Sequence, residues 1–185
     1  MPVKSERENR PEKTDATRSG KADAARSEGC LYVKATPIGN LRDTTLRALD
    51  ILRAVDLVAA EDTRHVRRLL TAHDIRVQLI SVHEHNEEAR TPSLLAEIAA
   101  GKKVALVSNA GTPTVSDPGY RLIRAAAQAG LAVIPVPGVS AVTAALSASG
   151  LETDTFTFVG FPARRAGKRE AQLRQLAGLT HTLVF

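Results

Sequence analysis

The sequence predicts an α/β fold: a mainly parallel sheet with helices on both faces, followed by the start of a second α/β domain. Three observations carry this. From Leu31 onward, short apolar runs alternate with longer stretches of helical periodicity, as in a chain that follows each strand with a helix. Gly, Pro and Asn gather where strands would hand over to helices. The apolar runs all fall far short of a membrane span, and 43% hydrophobic with 24% charged residues lies in the globular range.

The elements follow in order. Leu31 to Ala35 reads as a strand, and Asp43 is expected to cap a helix from Thr44 to Ala54 whose Leu46, Leu49, Ile51 and Leu52, with Val55, form an apolar face. Leu57 to Ala60 is a second strand, and Thr63 is expected to cap a helix reaching about His73. A strand over Val77 to Ser81 precedes a helix opened by Thr91-Pro92 and ended by Gly101. Val104 to Val107 is a strand, and Pro118 opens a helix to Ala129. Ala132 to Val136 is a strand and Ser140 to Ser149 an alanine-rich helix. Parallel strands of this kind place ligands beyond their carboxyl ends.

Residues 1–28 hold seven Lys or Arg against six Asp or Glu and no apolar segment, so they read as a disordered polar leader rather than a signal peptide. Residues 29–150 form the expected N-terminal domain. Residues 151–185 read as an incomplete second one: a strand around Thr155 to Val159, a basic helix near Gly167 to Ala177 and a strand from His181. Some 35 residues are too few to bury a core alone, so truncation is expected. The single cysteine, Cys30, permits no internal disulfide and fits a reducing cytoplasm; a small residue opening a strand is its plainest reading.

The segment Ser108 to Tyr120 is the most distinctive. It packs turn-formers between a strand and a helix, is long for a plain turn, and sets backbone amides near a helix N-terminus, where they can meet a carboxylate or phosphate. Pro37-Ile38-Gly39 and Gly111-Thr112-Pro113 give two loops whose backbone a ligand can approach without a Cβ in the way. Glu61, Asp62 and Arg64 follow a strand, where a carboxylate can orient a hydroxyl or act as base and an arginine can engage phosphate; acidic residues favoured by a helix dipole explain them equally well. His83 and His85 share a side if the chain there is extended, and His85 is a second candidate base. No other Cys or His falls at a metal-ligand spacing, so no metal is expected.

Taken in order, Leu31 to Asp43, Ala59-Ala60-Glu61-Asp62-Thr63-Arg64, His83-Glu84-His85-Asn86-Glu87 and the Ser108 to Tyr120 loop resemble the tetrapyrrole methylase-like superfamily. Within it they resemble the family that methylates a cytidine 2′-hydroxyl in small-subunit (16S) ribosomal RNA. The resemblance covers residues 31–185 and implies S-adenosylmethionine (SAM) as cofactor, held between two domains near Thr36, Pro37, Gly39, Asn40, Asn109, Ala110, Gly111, Thr112 and Pro113. It also implies a cytoplasmic enzyme, ribosomal RNA or the 30S subunit as partner, a homodimer and no membrane. Which of Glu61, Asp62, Arg64 and His85 handles the proton stays open. Two positions depart from the family: Lys34 replaces an apolar residue, costly if buried, and Asn109 replaces an aspartate.

Charge adds an RNA footprint. The chain carries +5, and Arg164, Arg165, Lys168 and Arg169 form a compact basic group whose members share helical faces if the helix begins early enough; a solvated face accounts for them as readily. Four Phe, two Tyr and no Trp supply no stacking module, so RNA as substrate rests on the resemblance. Methylation of a tetrapyrrole or another small molecule is the alternative enzyme, and a fragment that binds RNA or a partner without catalysis is the alternative class. The glycine fingerprint of a Rossmann unit is absent.

Overall fold

The computed structural model describes residues 29–185; the leader expected over residues 1–28 lies outside the described residues. Strands β1 (Cys30–Lys34), β2 (Leu57–Ala60), β3 (Gln78–Ser81), β4 (Lys103–Val107) and β5 (Ala132–Val136) form one sheet in the order β3-β2-β4-β1-β5, every pair parallel. The register levels their carboxyl ends, so Ser81, Ala60, Val107, Lys34 and Val136 stand in one row across the sheet.

Alternation along the strands then builds two cores. Helices α1 (Leu46–Ala54) and α2 (Thr63–Ala72) cover one face, where Leu49, Leu52, Val66 and Leu69 pack on Val58, Ala60, Ala105 and Val107. Helices α3 (Glu87–Ala99) and α4 (Tyr120–Gln128) cover the other, where Leu94, Ile98, Leu122 and Ala126 meet Leu31, Leu57, Ala59, Val104 and Leu106. A sheet apolar on both faces and covered on both is the expected fold class. Helix α5 (Ala141–Ser149) ends this part of the chain.

The topology also locates a crevice. Strands β1 and β4 are neighbours, yet the chain leaves β1 toward α1 on one face and leaves β4 toward α4 on the other. Ligands of doubly wound sheets lie where adjacent connections diverge in this way.

Several helix starts differ from expectation, each for a local reason. Thr45, not Asp43, caps α1, its hydroxyl accepting from the Ala48 amide at 3.1 Å, while Asp43 closes a turn by donating its amide to the Asn40 carbonyl. Asp62, not Thr63, caps α2. Helix α3 begins at Glu87, four residues before Thr91, because two glutamates favour the positive end of a helix and Glu87, buried, accepts from the Leu122 amide at 3.0 Å; Pro92 sits inside the helix. Helix α4 begins at Tyr120 behind Gly119, whose φ of 117° stops the helix short of Pro118.

Past residue 150 the chain forms a smaller parallel pair, β6 (Phe156–Phe158) with β7 (Thr182–Val184), joined through α6 (Ala166–Leu176). The Thr157 hydroxyl and His181 Nε2, 2.7 Å apart, link its two strands. Phe156, Phe158, Phe161 and Phe185 stay exposed, so this unit buries little core. Among the described residues no helix is long and apolar enough to cross a membrane.

Candidate functional site

Two loops meet over the β1/β4 crevice. Thr36 and Gly111 exchange backbone hydrogen bonds at 2.8 and 2.9 Å, and the buried Thr36 hydroxyl donates to the Ser108 carbonyl at 3.0 Å. The Ser108 hydroxyl lies 3.2 Å from both the Ala110 and Gly111 carbonyls. The Thr112 hydroxyl reaches the Val139 carbonyl at 3.5 Å, tying in the loop after β5. The β4–α4 loop holds left-handed backbone at Gly111 (φ 75°), Thr114 (φ 71°), Ser116 (φ 66°) and Gly119 (φ 117°). Such conformations are costly outside glycine and persist where the surroundings impose them, commonly at ligand sites.

Beside this clasp is a cavity of about 340 Å³, lower in the range of cofactor sites. Of the residues expected at a cofactor, Thr36, Pro37, Gly39, Asn109 and Ala110 line it. Gly111 sits one step behind as the clasp, Thr112 and Pro113 continue the loop, and Asn40 is exposed, its side chain accepting from the Arg42 amide at 3.0 Å in a local turn. Helix α2 supplies the opposite wall through His65, Arg68 and Leu69, a contribution the motifs did not reveal. Their spacing of three and four puts them on one helical face, which is the signal that was there to read. The lining suits SAM: apolar Leu69 and Val66 for a flat base or thioether, Asn109 and backbone for polar groups, and open space at Gly39, where an added Cβ would meet nothing within 4 Å.

The acid–base candidates separate in the structure. Asp62 is already engaged: it accepts from the Arg64 amide at 2.8 Å and from the guanidinium at 3.1 and 2.8 Å. The Arg64 side-chain hydrogen bonds, then its backbone amide, hold the carboxyl down to about 2, a poor proton acceptor. Arg64 itself points outward, 90% exposed along its side chain. His85 is exposed in a turn, not an extended segment, with its ring 6.0 Å from that of His83 in an edge-to-face arrangement. His83 in turn buries an Nδ1 that has no partner among the described residues.

Glu61 gains a neighbour that the motifs did not single out. Asp117, from the β4–α4 loop, is close enough for Glu61 to act on it, with the Ser108 hydroxyl alongside; burial, then the Glu61 charge, pushes its carboxyl up. Asn109 accepts from the Asp62 amide at 3.1 Å, which pins the β4–α4 loop to the start of α2. No group of three or more His, Cys, Asp or Glu among the described residues is arranged for a metal.

The basic group lies apart on α6 and the loop before it. The helix starts at Ala166 with Arg165 as its cap, so Arg164 and Arg165 precede it and only Lys168 and Arg169 lie on it; the shared faces expected of an early start do not form. Arg169 instead reaches back to the Arg164 carbonyl at 3.5 Å. The preceding chain touches the site: a Cβ on Gly160 would lie 3.1 Å from the Ser116 hydroxyl.

This architecture belongs to a known class. The sequence profile of the Tetrapyrrole (Corrin/Porphyrin) Methylases matches residues 31–185, and the chain belongs to that family. A crystal structure of uroporphyrin-III-C-methyltransferase from Thermus thermophilus aligns with a TM-score of 0.58 at 27% identity, covering 79% of this chain and 72% of that one. Sequence relatives sharpen the likeness. Ribosomal RNA small subunit methyltransferase I of Escherichia coli O157:H7 is 49% identical over 163 residues, 88% of this chain and 57% of the relative. The protein of that name from Micromonospora olivasterospora is 49% identical over 173 residues, 94% of this chain and 54% of the relative. The chain thus spans a little over half the length of the curated relatives it matches.

Proposed function

We infer that this chain carries the N-terminal, cofactor-binding part of a SAM-dependent methyltransferase acting on the ribose 2′-hydroxyl of a cytidine in small-subunit ribosomal RNA. The observation that carries the reading is the clasped pair of loops after β1 and β4, which opens a cavity of about 340 Å³ at the divergence of the sheet. Near 50% identity to proteins named for ribosomal RNA methylation favours RNA over a tetrapyrrole substrate.

Thr36, Pro37, Gly39, Asn109 and Ala110, with the α2 wall, would hold the cofactor, and Gly111 to Pro113 would brace its loop. When bound, SAM supplies a methyl group on a sulfonium, an electrophile that calls for no nucleophilic residue or metal. The protein's own tasks are then placement of the hydroxyl and removal of its proton. The Glu61–Asp117 pair is best suited to the proton: two carboxyls close enough to act on one another, with the Asp117 carboxyl pushed up by burial and then by the Glu61 charge. Asp62 and Arg64 keep the α2 start in place. Arg164, Arg165, Lys168 and Arg169 form no ion pair among the described residues and would meet RNA phosphates in the cytoplasm. A homodimer would cover the exposed phenylalanines of the smaller unit.

The test is to incubate the chain with SAM and 30S subunits, digest the RNA and measure 2′-O-methylcytidine by mass spectrometry. The modified nucleoside is expected when this part is joined to the second domain of a relative, with its loss in Glu61→Gln; no modified nucleoside from that joined protein would overturn the reading. Methyl transfer to a tetrapyrrole instead would replace it.

A further inference from the structure

On the other face of the molecule, a groove of about 600 Å³ runs between α3 and α4. Along α4 it is lined by Tyr120, Arg124 and Gln128, residues four apart that share one helical face, and along α3 by Thr91 and Pro92. Tyr120 is 62% exposed, an aromatic ring left in water at the first turn of α4. The Arg121 guanidinium at the rim pairs with Glu88, which leaves Arg124 as the cation without an ion pair among the described residues. Tyr120 also follows directly on the loop that carries Asn109 to Pro113 and Asp117.

We propose that this groove is a single-strand RNA subsite, in which a base of the substrate strand stacks on Tyr120 against Pro92 while Arg124 takes its phosphate. The inference rests on the RNA reading above and names the contact that reading lacked. A flat aromatic gives stacking without sequence choice, a neighbouring guanidinium gives charge, and Gln128 one turn on offers an amide for a base edge. The groove is ample for one nucleotide, and with Arg121 paired to Glu88 the Arg124 charge is left over to match a phosphate.

The composition supplies the assay. The chain has no Trp and two Tyr, so intrinsic fluorescence comes from Tyr32 and Tyr120, and the part lost in Tyr120→Phe belongs to Tyr120. Titration with a short oligocytidylate should quench that signal to saturation, and the quenching should vanish in Tyr120→Phe, which keeps the ring and the affinity. Tyr120→Ala should weaken binding of a dye-labelled oligocytidylate roughly ten- to a hundredfold at unchanged salt dependence. Arg124→Gln should lower the salt slope by about 0.7. SAM affinity should not move in any variant. Oligocytidylate binding with neither quenching nor loss in Tyr120→Ala overturns the subsite and leaves the RNA reading standing. No binding of oligocytidylate by a parent chain that binds SAM overturns both.

Discussion

Replacing Lys34 by Met should stabilise the protein at neutral pH. Lys34 ends β1 with no exposed surface, and its Nζ is buried without a hydrogen-bond partner among the described residues. Burial lowers its pKa from 10.5 to about 8. One pKa unit corresponds to about 1.4 kcal/mol, so holding this amine in the fold costs about 3 kcal/mol wherever both folded and unfolded chains would be protonated, that is, below about pH 8. Between pH 8 and 10.5 the unfolded chain binds the extra proton, so stability rises with pH and the cost fades. Methionine fills a similar volume and needs no partner. Urea denaturation at pH 7 should therefore show Lys34→Met more stable by about 3 kcal/mol, or roughly 6–12 °C in Tm for a unit of this size, shrinking to about 1 kcal/mol or less by pH 10. A gain that persists unchanged to pH 10 would mean that packing, not charge burial, is responsible. No gain at pH 7 would mean that burying the Lys34 amine costs the fold nothing.

Three further outcomes follow from the site. Asp117→Asn should be the more stable form at neutral pH, because a carboxyl whose folded pKa is raised costs stability above that value; the advantage should fade as pH drops toward about 4, and thermal melts across pH check it. Gly111→Val should lose SAM affinity through its backbone: φ is 75° and the nearest atom to an added Cβ is Ile38 at 3.7 Å, so strain rather than collision unseats the clasp. Calorimetry that finds equal affinity in Gly111→Val and the parent excludes the clasp from binding. Neutralising Arg164, Arg165, Lys168 and Arg169 together should lower the salt slope of RNA binding by roughly three if all four meet phosphates, and leave it unchanged if they only face solvent.

Element order and the two-faced sheet were legible because apolar runs buried on both faces are continuous and their helices amphipathic. Helix starts were less so. Asp43, Thr63 and Pro118 all satisfy the local preferences of a helix start, but at each place a neighbour with the right backbone geometry takes the role: Thr45, Asp62 and Gly119. At the site, the Thr36 and Asn109 loops were readable from their turn residues; the shared helical face of His65, Arg68 and Leu69 was readable too, but only the topology turns it toward the crevice. Asp117 was hidden for a similar reason: only the fold of a left-handed loop brings it to Glu61, 56 residues earlier in the chain. Lys34 was legible through the resemblance, as a charge where relatives carry an apolar residue, and the fold then shows it fully buried.

Whether the cavity between the β1 and β4 loops binds SAM is measured by a calorimetric titration of the chain with SAM beside one of Thr36→Val. Saturable binding at one site per chain is expected, weakened when the Thr36 hydroxyl that anchors the Ser108 carbonyl is removed. No saturable heat with the folded parent chain, or an affinity indifferent to Thr36, would contradict it.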